Sequence, residues 1–266
     1  MPATPPPSAT MPGMTFQLQH PAPVFRADPP QGRVFATARE VRSTDVVPAG
    51  RLRLDALARY LQEAAEDDVS DAGWDGPYVW LVRRVALSLR GYPAHRERIS
   101  LRTYCSATGP RWAERTTTVS GAGRDLIQST AIWVAVSAAD GRAVPLGESF
   151  QRVYGPSTEG RQVSARLSLP GPPGAAAGRP WPLRAADFDT AGHVNNTIHW
   201  AAVEDELAGL DWLPGVAELE YHRPILPGAE PELVTVTSQE PGELRAWLRQ
   251  GRQRLASAWL TTAGTR

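Results

Sequence analysis

The apolar positions of this chain fall into two kinds of period. From Leu54 to Asp68, Leu54, Leu57, Leu61, Ala64 and Ala65 recur at helical spacing with charges on the other face. This predicts an amphipathic helix. A second helix is predicted from about Val194 to Leu210. There Val194, Ile198, Ala201 and Ala202 form one apolar stripe, and Trp200, Val203, Leu207 and Leu210 form another. Two stripes leave little polar face, so this helix is expected to be wrapped on several sides, with Glu204 to Glu206 marking its emergence into water. The stretches 85–90, 99–105, 126–136 and 216–222 are β-rich or alternating and predict strands. One long helix followed by several antiparallel strands, given twice, predicts an α+β protein in which a curled sheet wraps a central helix.

Two breaks divide this pattern. Residues 1–32 are Pro-rich, with nine prolines in the first thirty positions, and read as a disordered tail. The second break, Leu169–Pro180, reads "LPGPPGAAAGRP", and its Pro and Gly clusters continue neither a helix nor a sheet ladder. The expected organisation is a tail (1–32), a first ordered half (33–155), a linker (156–180) and a second ordered half (181–266).

The two halves resemble one another. "RSTDVVPAGRLRLDALARYLQE" from Arg42 aligns without gaps over "RAADFDTAGHVNNTIHWAAVED" from Arg184, 142 positions later. Arg42, Asp45, Ala49 and Gly50 meet Arg184, Asp187, Ala191 and Gly192. A Pro followed by a strand, and later a Gly-Arg turn followed by a strand ending near Trp133 or Trp259, recur in the same order. Duplication explains this order of elements.

Composition removes several classes of function. The formal net charge is zero, so no global field draws the chain to nucleic acid or an anionic membrane. Every basic residue is Arg, which excludes a Schiff-base or phosphate-loop Lys. Cys105 is the only cysteine, so no intrachain disulfide forms; it reads either as a small buried apolar residue or as a catalytic thiol. No signal-peptide pattern and no apolar run long enough to span a bilayer is present, and a cytoplasmic location is expected.

The densest polar chemistry is "DFDTAGHVNN", Asp187–Asn196, just before the second helix. Where the first copy has Val47, Arg51, Arg53 and Leu54, the second has Asp189, His193, Asn195 and Asn196. A helix N-terminus presents unpaired N–H groups that can stabilise an oxyanion. A carboxylate beside it can act as nucleophile or as base toward water, with an imidazole to assist. These are the parts needed to attack a thioester or ester. Helix capping by Asn195 or Thr190, and dipole pairing by Asp187 and Asp189, are the structural alternatives. A zinc site has weak support, because His193 and His199 do not share a helical face and no H-E-x-x-H is present.

With those residues in view, the chain resembles the acyl–acyl carrier protein thioesterase family from about Arg33 to Leu260. "VRSTDVVPAGRLRLDALARYLQEAAEDDVSDAG", "RGYPAHRERISLRT" and "STAIWVAV" are similar to its first half. "DFDTAGHVNN" is similar to its D-x-D-x-N-x-H-V-N-N, and "LEYHRPI" to its L-E-Y-R-R-E-C. The resemblance implies two fused hotdog halves and hydrolysis of fatty acyl-acyl carrier protein, without cofactor or metal. It places the catalytic carboxylate on Asp189 and the His on His193, with Asn195 and Asn196 at the substrate. Leu57, Leu61 and Trp80 would line the acyl site, although core packing alone also explains them. Arg83, Arg84, Arg96, Arg98 and Arg102 are candidates to receive the acidic carrier protein. The family's Asn between the Asp and His is Ala191 here, and its later acid and Cys fall on Pro224 and Ile225. His222 is a candidate replacement for that acid. Hydrolysis of acyl-CoA and noncatalytic acyl binding are the alternatives, and monomer and homodimer are both open.

Overall fold

The computed structural model describes residues 10–11, 25–174, 176–238 and 242–262. Most of the Pro-rich tail therefore lies outside the described residues. The chain divides into two compact units, 20–167, and 168–266 together with 1–19.

The first unit contains β1 (Phe35–Glu40), α1 (Leu54–Asp71), β2 (Val79–Leu89), β3 (Arg98–Thr108), β4 (Trp112–Gly121), β5 (Arg124–Val136) and α2 (Glu148–Tyr154). Its sheet runs β1-β3-β4-β5-β2, and every neighbouring pair is antiparallel. β4 and β5 are joined through Ala122 and Gly123, both with positive φ, the backbone that a tight hairpin requires. Leu54, Ala56, Leu57, Tyr60 and Ala64 form the buried stripe of α1, which rests against β1 and β3. The helix runs three residues past Asp68, because that residue is buried and paired. Its carboxylate accepts from Arg33 Nε at 2.5 Å and Arg115 Nη1 at 2.7 Å. Two guanidinium groups offset the unfavourable placement of an acid in the last turns of a helix.

One part of the predicted tail is ordered. The Arg26 N–H donates to Gln128 Oε1 at 2.8 Å, and Gln128 Nε2 donates back to the Arg26 carbonyl at 3.0 Å. Arg102 donates to Asp28 at 2.8 Å. These bonds fix residues 26–28 on the sheet, so the tail reading fails there.

The second unit contains α3 (Asn196–Leu207), β6 (Val216–Tyr221), β7 (Glu232–Ser238), β8 (Glu243–Gln250) and β9 (Gln253–Thr261). The order β6-β9-β8-β7 is antiparallel throughout and repeats the order β2-β5-β4-β3. Arg179–Pro180 pairs antiparallel with β7, as β1 pairs with β3. α3 is buried through His199, Trp200, Ala202, Val203, Glu204 and Leu207. Glu204 therefore does not mark emergence into water. It lies one turn after Trp200 and shares its buried face; exposure begins at Asp205.

The start of the predicted Leu169–Pro180 linker is held down as well. Glu220 is fully buried, and its Oε1 accepts from the Ser168 N–H at 2.5 Å and the Leu169 N–H at 3.1 Å. Trp247 Nε1 donates to the Pro170 carbonyl at 2.7 Å, and Arg254 donates to the Leu169 carbonyl at 2.8 Å. Residues 168–170 thus form a strap across the sheet of the second unit.

Candidate active site

The polar stretch before α3 folds as a short turn and a hairpin. Asp187 ends a 3-10 turn (Ala185–Asp187). Its carboxylate accepts from the Arg184 N–H at 2.7 Å, Arg184 Nε at 3.0 Å and Arg184 Nη2 at 2.7 Å. Phe188 and Val194 then form an antiparallel bridge. Inside it the Asp189 N–H donates to the His193 carbonyl at 2.9 Å, and the Gly192 N–H to the Asp189 carbonyl at 3.0 Å. Gly192 has a φ of 74°, which glycine adopts without strain. The Asn195 N–H returns to the Asp187 carbonyl at 2.8 Å.

The first unit builds the same frame from different residues. Val46 and Leu52 form the bridge. The Val47 N–H donates to the Arg51 carbonyl at 2.9 Å, the Gly50 N–H to the Val47 carbonyl at 2.8 Å, and the Arg53 N–H to the Asp45 carbonyl at 2.9 Å. Gly50 has a φ of 86°. Every donor and acceptor stands 142 positions before its counterpart. Asp45 is buried like Asp187 and accepts from Tyr60 Oη at 2.5 Å, the Arg42 N–H at 3.2 Å and Arg59. Asp45 and Asp187 are therefore framework acids.

Asp189 and His193 lie at the two feet of the second hairpin, both half-buried. Asp189 Oδ1 accepts from the Ala191 N–H at 2.9 Å and the His193 N–H at 3.4 Å. Neither Asp189 Oδ2 nor the His193 ring has a hydrogen-bond partner among the described residues. Asn195 is the N-cap of α3: its Oδ1 accepts from the Thr197 N–H at 3.0 Å and the Thr197 hydroxyl at 2.8 Å. The Ile198 N–H is taken by the Asn195 carbonyl at 3.0 Å. Two amides at the start of α3 are thus committed to capping, and the Asn196 N–H remains without a protein acceptor among the described residues. The Asn196 carbonyl accepts from Tyr221 Oη at 3.2 Å.

One residue in this region did not stand out in the sequence. His199 is 4% exposed, its Nδ1 is 3.3 Å from the Asn195 carbonyl, and its ring meets Tyr221 edge-on at 5.1 Å. Trp200 Nε1 donates to Tyr221 Oη at 3.1 Å, which joins the helix start to β6. A cavity of about 10 Å³ lies beside His199, between α3 and Leu219, Leu233, Ala246 and Ala256. Burial lowers the His199 pKa to about 4, so the ring is neutral at pH 7. Its position one turn after Asn195 was the available signal, since that spacing puts it under the N-cap.

Other expectations meet different surroundings. Tyr221 faces α3, so Glu220 and His222 point to the opposite face of the sheet. There His222 Nε2 lies 3.2 Å from Ser257 Oγ and 3.5 Å from Glu220 Oε2. His222 is therefore turned away from the start of α3 and does not stand in for the missing acid. Leu57 is buried in the α1 stripe, Leu61 is half-buried, and Trp80 packs among Trp74, Tyr78 and Phe150. The five arginines do not act as one exposed patch: Arg84 is 8% exposed, and Arg102 is bonded to Asp28 and Ser120. Cys105 is buried, and desolvation pushes its thiol up to about 12, which does not suit a nucleophile. Among the described residues no group of three or more His, Cys, Asp or Glu is placed to hold a metal ion, and no helix is long and apolar enough to cross a membrane.

A helix packed on an antiparallel sheet, with a polar hairpin at the helix start, defines a hotdog-like α+β fold. Solved thioesterases share it. The 12:0-ACP thioesterase from Umbellularia californica is 20% identical with a TM-score of 0.72, covering 86% of this chain and 93% of that one. An acyl-ACP thioesterase from Bacteroides thetaiotaomicron is 17% identical with a TM-score of 0.71, covering 86% and 97%. Residues 32–154 match the model of the acyl-ACP thioesterase N-terminal domain. An uncharacterised protein of Mycobacterium tuberculosis is 30% identical over 203 residues, covering 75% of this chain and 81% of its own length. The class is that of the thiolester hydrolases. Within it, the chain belongs to the acyl-ACP thioesterase family.

Proposed function

We propose that this protein hydrolyses fatty acyl-acyl carrier protein to the free acid and carrier protein, and that its two units are two fused hotdog halves. Asp189 is the nucleophile or the general base toward water, His193 assists it, and the Asn196 N–H faces the developing oxyanion. Leu57, Leu61 and Trp80 of the first half contact the acyl chain.

One observation carries this reading. The first hairpin closes with Val47 and Arg51 at the positions of Asp189 and His193, and it keeps the same backbone hydrogen bonds. The turn therefore does not require a carboxylate or an imidazole. Hairpin bonding accounts for Asp189 Oδ1 but leaves Asp189 Oδ2 and the His193 ring unexplained, and thioester chemistry would use both.

The test is Asp189→Asn, with turnover on a panel of acyl carrier protein thioesters followed by mass spectrometry. An Asn oxygen keeps the acceptor for the Ala191 and His193 N–H groups, so thermal stability stays at the wild-type level. The rate is expected to fall by about two to four powers of ten. Equal rates in variant and wild type would remove Asp189 from the mechanism. Faster release from acyl-CoA than from the carrier protein would reassign the substrate. Ala191 and Pro224 favour a second reading, noncatalytic acyl binding; tight binding by the wild type without turnover would select it.

A further inference from the structure

The first unit holds an aromatic cluster that packing alone does not account for. The Trp74 ring lies 5.3 Å from Tyr78, 6.3 Å from Trp80 and 5.8 Å from Phe150. Tyr78 meets Trp80 edge-on at 5.2 Å. Tyr78 is 8% exposed, and its hydroxyl is buried without a hydrogen-bond partner among the described residues. The neighbours Ala135, Leu146 and Phe150 offer no side-chain acceptor, the Cys105 thiol is directed to the Ala107 carbonyl at 3.6 Å, and the Tyr154 hydroxyl of the same cluster is likewise buried without a partner among the described residues. A phenylalanine would fill the same space without the cost of burying an unpaired O–H. Such a hydroxyl in a folded core calls for a specific cause.

Two features border the cluster that holds this hydroxyl. A groove of about 690 Å³, within the size range of small-molecule sites, runs past Pro110, Pro145, Leu146, Gly147 and Arg152. Leu146 belongs to both the groove and the aromatic cluster. On the other side, Trp74 lies down over Gly76, where an added Cβ would sit 2.1 Å from the indole. Its indole N–H makes one long polar contact, 3.5 Å from Ser149 Oγ, and the ring is otherwise held by its aromatic neighbours. Trp74 thus covers the cluster from a turn that also contains Gly73 at a φ of 58°.

We propose that the acyl-binding part of the site reaches Tyr78 and takes an acyl chain bearing its own oxygen, a hydroxy or oxo group that accepts the Tyr78 O–H. This rests on the reading of Trp80 as an acyl contact, because Tyr78 lies against that ring. A saturated hydrocarbon chain would leave the phenol as unsatisfied as the protein does. An oxygen at the right carbon removes the penalty, and discrimination by a buried hydrogen-bonding group is strong.

Binding and turnover test this separately. Tryptophan fluorescence, which Trp74 and Trp80 make sensitive to the site, is titrated with dodecanoate and with hydroxylated and oxo dodecanoates substituted at successive carbons. Wild type is expected to bind at least one oxygenated acid about tenfold tighter than dodecanoate. Tyr78→Phe is expected to abolish that preference, leave dodecanoate binding unchanged and keep thermal stability at or above wild type. Equal binding of all the acids, no binding of any, or a preference that survives in Tyr78→Phe would overturn the proposal. Loss of thioester turnover with the binding preference intact would count against the hydrolase reading and leave this site standing.

Discussion

His199 gives a sharp test of how the start of α3 is built. In the folded chain its pKa lies at about 4, because burial penalises the imidazolium. In the unfolded chain the ring titrates near its ordinary value of 6.5. Between pH 6.5 and 4 the unfolded state therefore binds a proton that the native state refuses. The stability associated with a neutral His199 is complete above pH 6.5 and is lost as the pH falls toward 4. Two and a half pH units, at about 1.4 kcal/mol each, give a loss on the order of 3 kcal/mol. That is a large share of the ~5–15 kcal/mol that holds a typical domain. His199→Gln keeps an amide donor for the Asn195 carbonyl and removes the titration. Urea unfolding of both proteins at half-unit steps from pH 7.5 to 4 measures the difference directly. The wild type is expected to lose roughly 3 kcal/mol relative to the variant across this window, with no divergence above pH 7. Parallel curves from pH 7 to 4 would mean that the ring is open to solvent and that the packing of α3 on the sheet is misdescribed.

Two further outcomes follow from buried groups. Glu220→Ala strands the Ser168 and Leu169 N–H groups under the strap and should cost about 2–4 kcal/mol in urea unfolding, while Glu220→Gln, which keeps one acceptor oxygen, should cost less; a loss below 1 kcal/mol for the alanine variant would mean that the strap is not anchored there. Cys105, with its thiol pushed up to about 12, should resist iodoacetamide in the native protein, and treatment should leave turnover unchanged; rapid labelling followed by mass analysis would contradict its burial.

The sequence made much of this fold legible wherever one local rule acted alone. The α1 stripe obeys helical spacing from Leu54 to Ala64, and the hairpins before α1 and α3 carry Gly50 and Gly192 where positive φ is needed. Elements were lost where long-range contacts set the answer. β2 begins at Val79, before the strand expected from Val85, because a bulge between Val82 and Arg84 breaks the two-residue alternation. Alternation correctly put Glu218, Glu220 and His222 on one face, but it could not say which face. That choice is made by Tyr221, which turns toward Trp200 and Asn196. Glu220 meets Leu169 from 51 positions away, so nothing near either residue announces the strap. His199 reads as polar by residue type, and its burial follows only from the two apolar stripes that surround it.

The departures from the family pattern also acquire a physical location. The Val194 N–H donates to the Ile225 carbonyl at 2.9 Å, so the chain after β6 returns alongside the start of α3. The backbone that would carry the family's later acid is therefore present in the second unit. Its side chains are an exposed Pro224 and a fully buried Ile225, neither of which can move a proton. Ala191 contributes at the hairpin tip only through its N–H, which already serves Asp189 Oδ1. On the proposed reading, proton transfer near this end of α3 falls to Asp189 and His193, since His199 is neutral and inward-facing and His222 lies across the sheet. A thioesterase built this way has fewer groups to share the work than the family pattern provides. Asp189→Asn should accordingly leave little residual turnover, because the nearby Asp187 is held by Arg184 and Glu220 is held by the strap across the sheet.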